Sequence, residues 1–176
     1  MIGSDRLVLL NRTDITTSTN NVSVTNVFNA EYDHYKIVVA NLTSVDTSAS
    51  QVSLRFHDGS STITDSQYHY GRFRLYNNQG ADTGVSAASN AIQFFFGEID
   101  GNTGFNTANV GYIFNPFQSG YTFATSESVM SSSSHTCKGH LVGGMLRQTV
   151  SVTGYTLYNP NRNYDEGMIL TYGIAN

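Results

Sequence analysis

The stretch Val52-Ser53-Leu54-Arg55-Phe56-His57-Asp58-Gly59 decides how the rest of the chain is read. Val52, Leu54 and Phe56 alternate with Ser53, Arg55 and His57, and Asp58-Gly59 then supplies the chemistry of a tight turn. A period of two turns one set of side chains toward a core and the other away from it, which marks a half-buried β-strand. Outward from this segment the same signal recurs. Tyr35, Ile37 and Val39 share a face over 34–41, and strand-like runs lie at 6–12, 21–25, 68–76, 91–96, 109–115, 121–126, 140–147, 150–158 and 168–174. Polar stretches at 13–20, 43–50 and 131–134 read as turns and loops, and Asn115-Pro116 and Asn159-Pro160 end the strands before them. A single short helix, at 27–32, is admissible. The spacing predicts an all-β antiparallel protein of about 8–11 short strands, a sandwich or barrel, with 1–176 as one domain.

Composition agrees with that class. Ser, Thr and Asn number 20, 19 and 17 of the 176 residues, against 2 Lys and 4 Glu, so the chain is poor in the residues that build surface helices. Charged residues make up 12%, about half the share of an average soluble domain, yet 21 Phe and Tyr supply core material. The formal charge of −4 leaves no basic footprint for nucleic acid, so none is expected as a partner. The longest early apolar run, Leu7 to Leu10, is too short for a signal-peptide core or a membrane span, and no membrane insertion is expected. Cys137 is the one cysteine, which excludes an internal disulfide and fits synthesis in a reducing cytoplasm. Asn-x-Ser/Thr patterns at Asn11, Asn21 and Asn41 occur at the frequency such a composition yields by chance.

Catalytic spacings are missing. Gly84-Val85-Ser86-Ala87-Ala88 lacks the closing glycine of a nucleophile elbow and reads as loop. Cys137 and His140, three apart on a strand, point to opposite faces and do not form a thiol and imidazole pair. The histidines His34, His57, His69, His135 and His140 show no His-x-x-x-His spacing and the chain no Cys-x-x-Cys, so a zinc site would have to be assembled by the fold, and Asp100-Gly101-Asn102 lacks the rest of a calcium ladder. No phosphate-cradling loop is present, so no cofactor and no metal are expected. Glu98 and Asp100 sit two apart, a spacing at which two carboxylates could serve glycoside hydrolysis, although the chain has no Trp for a sugar platform.

One constellation suggests contact rather than chemistry. In the 68–76 run the even positions are Tyr68, Tyr70, Arg72, Arg74 and Tyr76, while Phe73 and Leu75 fall on the odd ones. Tyr and Arg are enriched where a surface buries itself against a partner. This face is either an oligomer or receptor contact, or an outer sheet face whose rings cover neighbouring strands.

The order of segments resembles a group of virion structural proteins of tailed phages, above all of marine cyanophages. The resemblance rests on the Leu7–Leu10 strand, Phe28, Tyr32-Asp33-His34-Tyr35-Lys36-Ile37-Val38-Val39, the 52–60 segment, Ser66-Gln67-Tyr68-His69-Tyr70, Tyr112-Ile113-Phe114-Asn115-Pro116, Gly143-Gly144 and Tyr172-Gly173-Ile174. It implies a jelly-roll-like β-sandwich without enzymatic activity on the particle, in a tail fibre, a tail accessory or a head-surface protein. Modules of this group often end longer fibre proteins, whereas here the first strand starts close to Met1 with no stalk segment before it. That departure favours an accessory or decoration protein on the capsid surface or tail periphery, contacting other virion proteins and itself as a symmetric oligomer, expected to be a homotrimer. The expected location is the virion, after synthesis in the host bacterial cytoplasm. An adhesin for host surface glycans using the Tyr68 to Tyr76 face is the alternative, and a polysaccharide hydrolase using Glu98 and Asp100 is the remote one.

Overall fold

In the computed structural model, which describes residues 6–45, 48–77, 80–101, 107–131 and 137–175, the 52–57 alternation becomes strand β5 (Ser53–His57), with Leu54 and Phe56 fully buried. β5 pairs with β12 (Gly154–Tyr158), and β12 with β2 (Asn21–Val24), giving a three-stranded sheet. This small sheet covers part of a much larger one. Eight strands follow one another in the order β1 (Arg6–Ile15), β13 (Gly167–Ala175), β3 (His34–Ala40), β9 (Thr107–Phe114), β10 (Gly120–Ser131), β11 (Cys137–Val150), β6 (Tyr68–Tyr76) and β7 (Gly80–Ser89), every pair antiparallel. A short ladder of β4 (Ser50–Gln51) with β8 (Glu98–Ile99) completes the second layer.

The expected antiparallel β-sandwich is present, with thirteen strands among the described residues and with layers of unequal width. Between the layers, Tyr35, Ile37 and Val39 of β3 meet Leu54, Phe56, Tyr155 and Leu157 in one buried cluster. Phe28 bridges the layers, its ring centroid 4.5 Å from Tyr35 and 5.8 Å from Tyr155. The hydroxyls of Tyr155 and Thr171 share a 2.6 Å hydrogen bond that ties β12 to β13, so neither buried oxygen is left unpaired.

Where the three-stranded sheet does not reach, the irregular segment 91–97 fills the space. Ile92, Phe95 and Phe96 are fully buried. They lie on glycines of the large sheet: a Cβ at Gly111 would stand 2.8 Å from Phe95 Cε1 and 3.0 Å from Phe96 Cε1, and one at Gly144 would stand 2.9 Å from Ile92 Cγ2. The segment was expected as a strand. It borrows only short bridges from β5, with Ile92 N–H donating to Leu54 O at 2.9 Å and Leu54 N–H returning the bond at 2.9 Å, before Phe94 (φ 56°) turns the chain.

Other boundaries also moved. No helix forms at 27–32, where a turn at 30–31 lets Phe28 and Tyr32 drop into the core instead. β7 occupies a stretch read as loop, because its mostly small residues, from Gly80 through Gly84 to Ala87, carry no apolar alternation; they pair with β6 through the backbone ladder and the Asp82 side chain. β1 runs on to Ile15 through a bulge between Leu9 and Asn11. The prolines do end β9 and β12, and buried Asn159 builds the second turn by accepting from Asn161 N–H and Arg162 N–H. Of the predicted loop tip at 131–134, Ser131 ends β10 and the rest lies outside the described residues, as do His135 and Asn102.

The glycine seats give a direct test. Gly111→Ala should destabilise the protein by about 1–3 kcal/mol through overpacking against Phe95 and Phe96. Gly120→Ala, whose added Cβ meets no atom within 4 Å, should leave the melting temperature unchanged or raise it. Thermal melts of the two variants check this.

Candidate functional site

The period-two reading of β6 is correct and its direction is reversed. Tyr68, Tyr70, Arg72, Arg74 and Tyr76 share one face, and that face is turned into the molecule. Tyr68 is fully buried; its hydroxyl donates to Ile63 O at 3.0 Å and accepts from Phe56 N–H at 2.9 Å, and burial pushes its pKa far up. Tyr70 donates to Gln93 Oε1 at 2.9 Å. Arg72 lies 3.9 Å over the Phe94 ring, and Arg74 forms ion pairs with Asp82 and Glu98. The side chains of both arginines are 15% exposed. The outward contact or glycan platform expected of these five residues is therefore not what the fold presents.

Glu98 explains why arginines can face inward. One of its carboxylate oxygens accepts from Arg74 and the other from Lys138 of β11, so it acts as counter-ion to two cations in a nearly closed space. Its neighbour Asp100 is also buried. The pairing of these two acids as a hydrolytic couple is not assembled, since the Glu98 oxygens are committed to the cations. Cys137 is exposed and His140 buried, on opposite faces of β11 as their spacing requires. Ser86 sits in β7 opposite Tyr70. Among the described residues no three His, Cys, Asp or Glu side chains gather as a metal site.

His140 is the most perturbed group of this interior. Its ring stacks on Phe94 at 6.2 Å with an interplanar angle of 11°, and among the described residues neither ring nitrogen has a hydrogen-bond partner. Burial lowers its pKa to about 4, against a partial upward pull from Glu98 and a downward push from Arg74, Arg72 and Lys138. The Phe94 ring thus meets Arg72 and His140 from a backbone conformation that L residues adopt only when the surroundings hold it.

The opposite, outer face of the large sheet is the surface that stands out. Registers align Val38, Val110, Glu127, Leu141 and Phe73 in one row across β3, β9, β10, β11 and β6. The row beside it runs Ala40, Ala108, Val129, Gly139 and Leu75. On the other side run Lys36, Tyr112, Thr125, Gly143 and Gly71, then His34, Phe114, Phe123, Met145 and His69. Leu75, Val129, Phe123 and Leu141 are each 45–50% exposed. Two adjoining hollows of about 540 and 640 Å³ lie in this face and share Phe73, Glu127 and Leu141 as walls. Gly139 lines the first, and Gly71 and Gly143 line the second.

Sequence reasoning missed this face because it took the Tyr and Arg positions of β6, rather than Phe73 and Leu75, for the outer side of the strand. A signal was available in β10, where Tyr121, Phe123 and Val129 alternate with Thr122, Ala124, Ser126 and Ser128, large apolar against small polar. The small set faces inward, where the 91–97 segment fills the space and Ser126 Oγ donates to Phe95 O.

No family model matches the chain, and no curated protein matches it. Solved structures resemble it only distantly. A candidate DNA-binding protein from Ralstonia eutropha JMP134 shares 9% identity over 93% of this chain and 76% of its own, with a TM-score of 0.33. The green fluorescent protein lanGFP of Branchiostoma lanceolatum shares 10% identity over 91% and 96%, with a TM-score of 0.28. A chain of infectious bursal disease virus, Gx strain, shares 7% identity over 98% of this chain and 42% of its own, with a TM-score of 0.17. None of these likenesses assigns a family.

Two measurements test the interior. Glu98→Gln strands Lys138 without its counter-ion and takes one of two from Arg74, and should cost on the order of 3 kcal/mol in denaturant unfolding. For His140, the unfolded imidazole takes up a proton near pH 6.5 that the folded one refuses until about pH 4. Its stability contribution is therefore complete above pH 6.5 and drains away as the pH falls toward 4. His140→Phe should lose measurably less stability than wild type between pH 7 and pH 4.5, and equal slopes would refute the assignment.

Proposed function

We propose that the protein is a non-enzymatic structural component of a tailed-phage particle, seated on the capsid surface or tail periphery and working through protein contact as a symmetric oligomer. The observation that carries this reading is the bare outer face of the eight-stranded sheet. Apolar rows spanning that many strands exceed the patches of a few hundred Å² that monomers ordinarily leave in water. The ordered motif resemblance to phage virion proteins points the same way. So does the charge cluster around Glu98, in which Arg72, Arg74, Lys138 and the half-exposed Asp82 hold strands together. An adhesin reading would need a different platform, since Tyr68 and its neighbours face inward.

Quantitative mass spectrometry of washed virions tests the proposal. The chain should be present at a copy number set by the symmetry of the head or tail. Its absence from washed particles would overturn the reading.

A further inference from the structure

We propose that the outer face of the large sheet is a homodimer interface, on which a second copy of this chain docks face to face about a two-fold axis near β9. The inference rests on the structural, contact-forming reading above and names the partner. The area suffices. Eight strands about 4.8 Å apart and four outward rows about 6.8 Å apart give a footprint on the order of 1,000 Å². A stable interface needs about 800 Å² from each partner.

Charge selects the second copy as the occupant. Within the four rows, the six strands from β13 to β6 present two full charges, Lys36 and Glu127, and neither has an ion-pair partner among the described residues. On the edge strand β1, Arg12 and Asp14 already neutralise each other at 3.0 Å. A cover that buried Lys36 and Glu127 against apolar groups would leave two desolvated charges, so the cover must carry an acid opposite Lys36 and a base opposite Glu127. A second copy does so by symmetry. Lys36 on β3 and Glu127 on β10 flank β9, one outward position apart, so the midpoint between them falls on β9 between Val110 and Tyr112. A two-fold axis lying in the interface at that point, perpendicular to the line from Lys36 to Glu127, sets Lys36 of each copy against Glu127 of the other, as an isologous contact requires. The expected homotrimer is disfavoured, because a three-fold ring needs two different complementary surfaces and this face is one.

Three glycines support a close approach. Gly139, Gly143 and Gly71 sit inside strands on this face, and an added Cβ would meet nothing nearer than 3.9 Å. The chain's own packing does not demand glycine there, whereas a neighbouring backbone or side chain seated in the hollows does.

Sedimentation equilibrium of the full chain over a concentration series is the test. Wild type should be a dimer, and Glu127→Lys and Lys36→Glu should each weaken it by at least about 100-fold in Kd by setting like charges opposite. The combined Glu127→Lys/Lys36→Glu exchange should restore it to within about tenfold of wild type. Leu141→Asp, on the same face, should also dissociate it, and far-ultraviolet circular dichroism establishes that each variant is folded. A wild-type monomer or trimer, single reversals without effect, or a double exchange without rescue would each overturn the two-fold contact. A monomer that is nonetheless found in washed virions defeats this inference and leaves the structural role standing. A dimer absent from virions does the reverse.

Discussion

The seating of Ile92, Phe95 and Phe96 on Gly144 and Gly111 is the contact on which the architecture depends. An eight-stranded sheet needs a cover for its inner face, and three strands are too few to provide it. The irregular segment supplies the missing volume with three large side chains, while its backbone bonds to Leu54 of β5 and to Val52 just before it: Phe96 N–H donates to Val52 O at 3.2 Å and Val52 N–H to Gly97 O at 2.9 Å. Room for those rings exists only because the sheet carries no side chain beneath them. The inward positions of β10 can then be as small as Thr122, Ala124, Ser126 and Ser128 without leaving a void.

Beyond the reach of the apolar segment, electrostatics sets which way β6 faces. Glu98 on β8 draws Arg74 of β6 and Lys138 of β11 inward, and Asp82 of β7 holds Arg74 from the other side. Buried ion pairs are weak stabilisers once their desolvation is counted, but breaking one is costly, so they act as a register lock. With Arg72, Arg74 and Tyr76 fixed inward, the pleat leaves Phe73 and Leu75 no direction but outward. The bare apolar face is in this sense the other side of the buried charges.

How much of this could be read from the chain depends on which layer a strand belongs to. β3, β5 and β12 pack against one another across the core, and their alternation gave strand, direction and burial together: Tyr35, Ile37, Val39, Leu54 and Phe56 are all inside. β6 and β10 were legible as strands, but the outer face of β6 was assigned to its Tyr and Arg positions and no face was assigned on β10. The partners that bring Arg72 and Arg74 inside are Phe94, Asp82 and Glu98, at separations no local pattern records. The 91–96 run looked like a strand because three phenylalanines and an isoleucine have that propensity, and tertiary context overrode it. β7 was invisible because an edge strand of small residues contributes hydrogen bonds and almost no apolar signal.

The low charge content gains a physical reading from this arrangement. Of the few Lys, Arg, Asp and Glu, five gather in the interior cluster around Glu98 and Arg74. The four outward rows of the large sheet are left with Lys36 and Glu127 at their centre, Arg12 and Asp14 at the edge, His34 and His69 in the last row, and otherwise with Val, Leu, Ile, Met, Phe, Tyr and small residues. A surface kept in water would gain solubility from more charge, and a sheet face of this width would gain it most. The scarcity falls on the face where charge would hinder association, which makes the composition a property of the assembled protein rather than of the isolated chain.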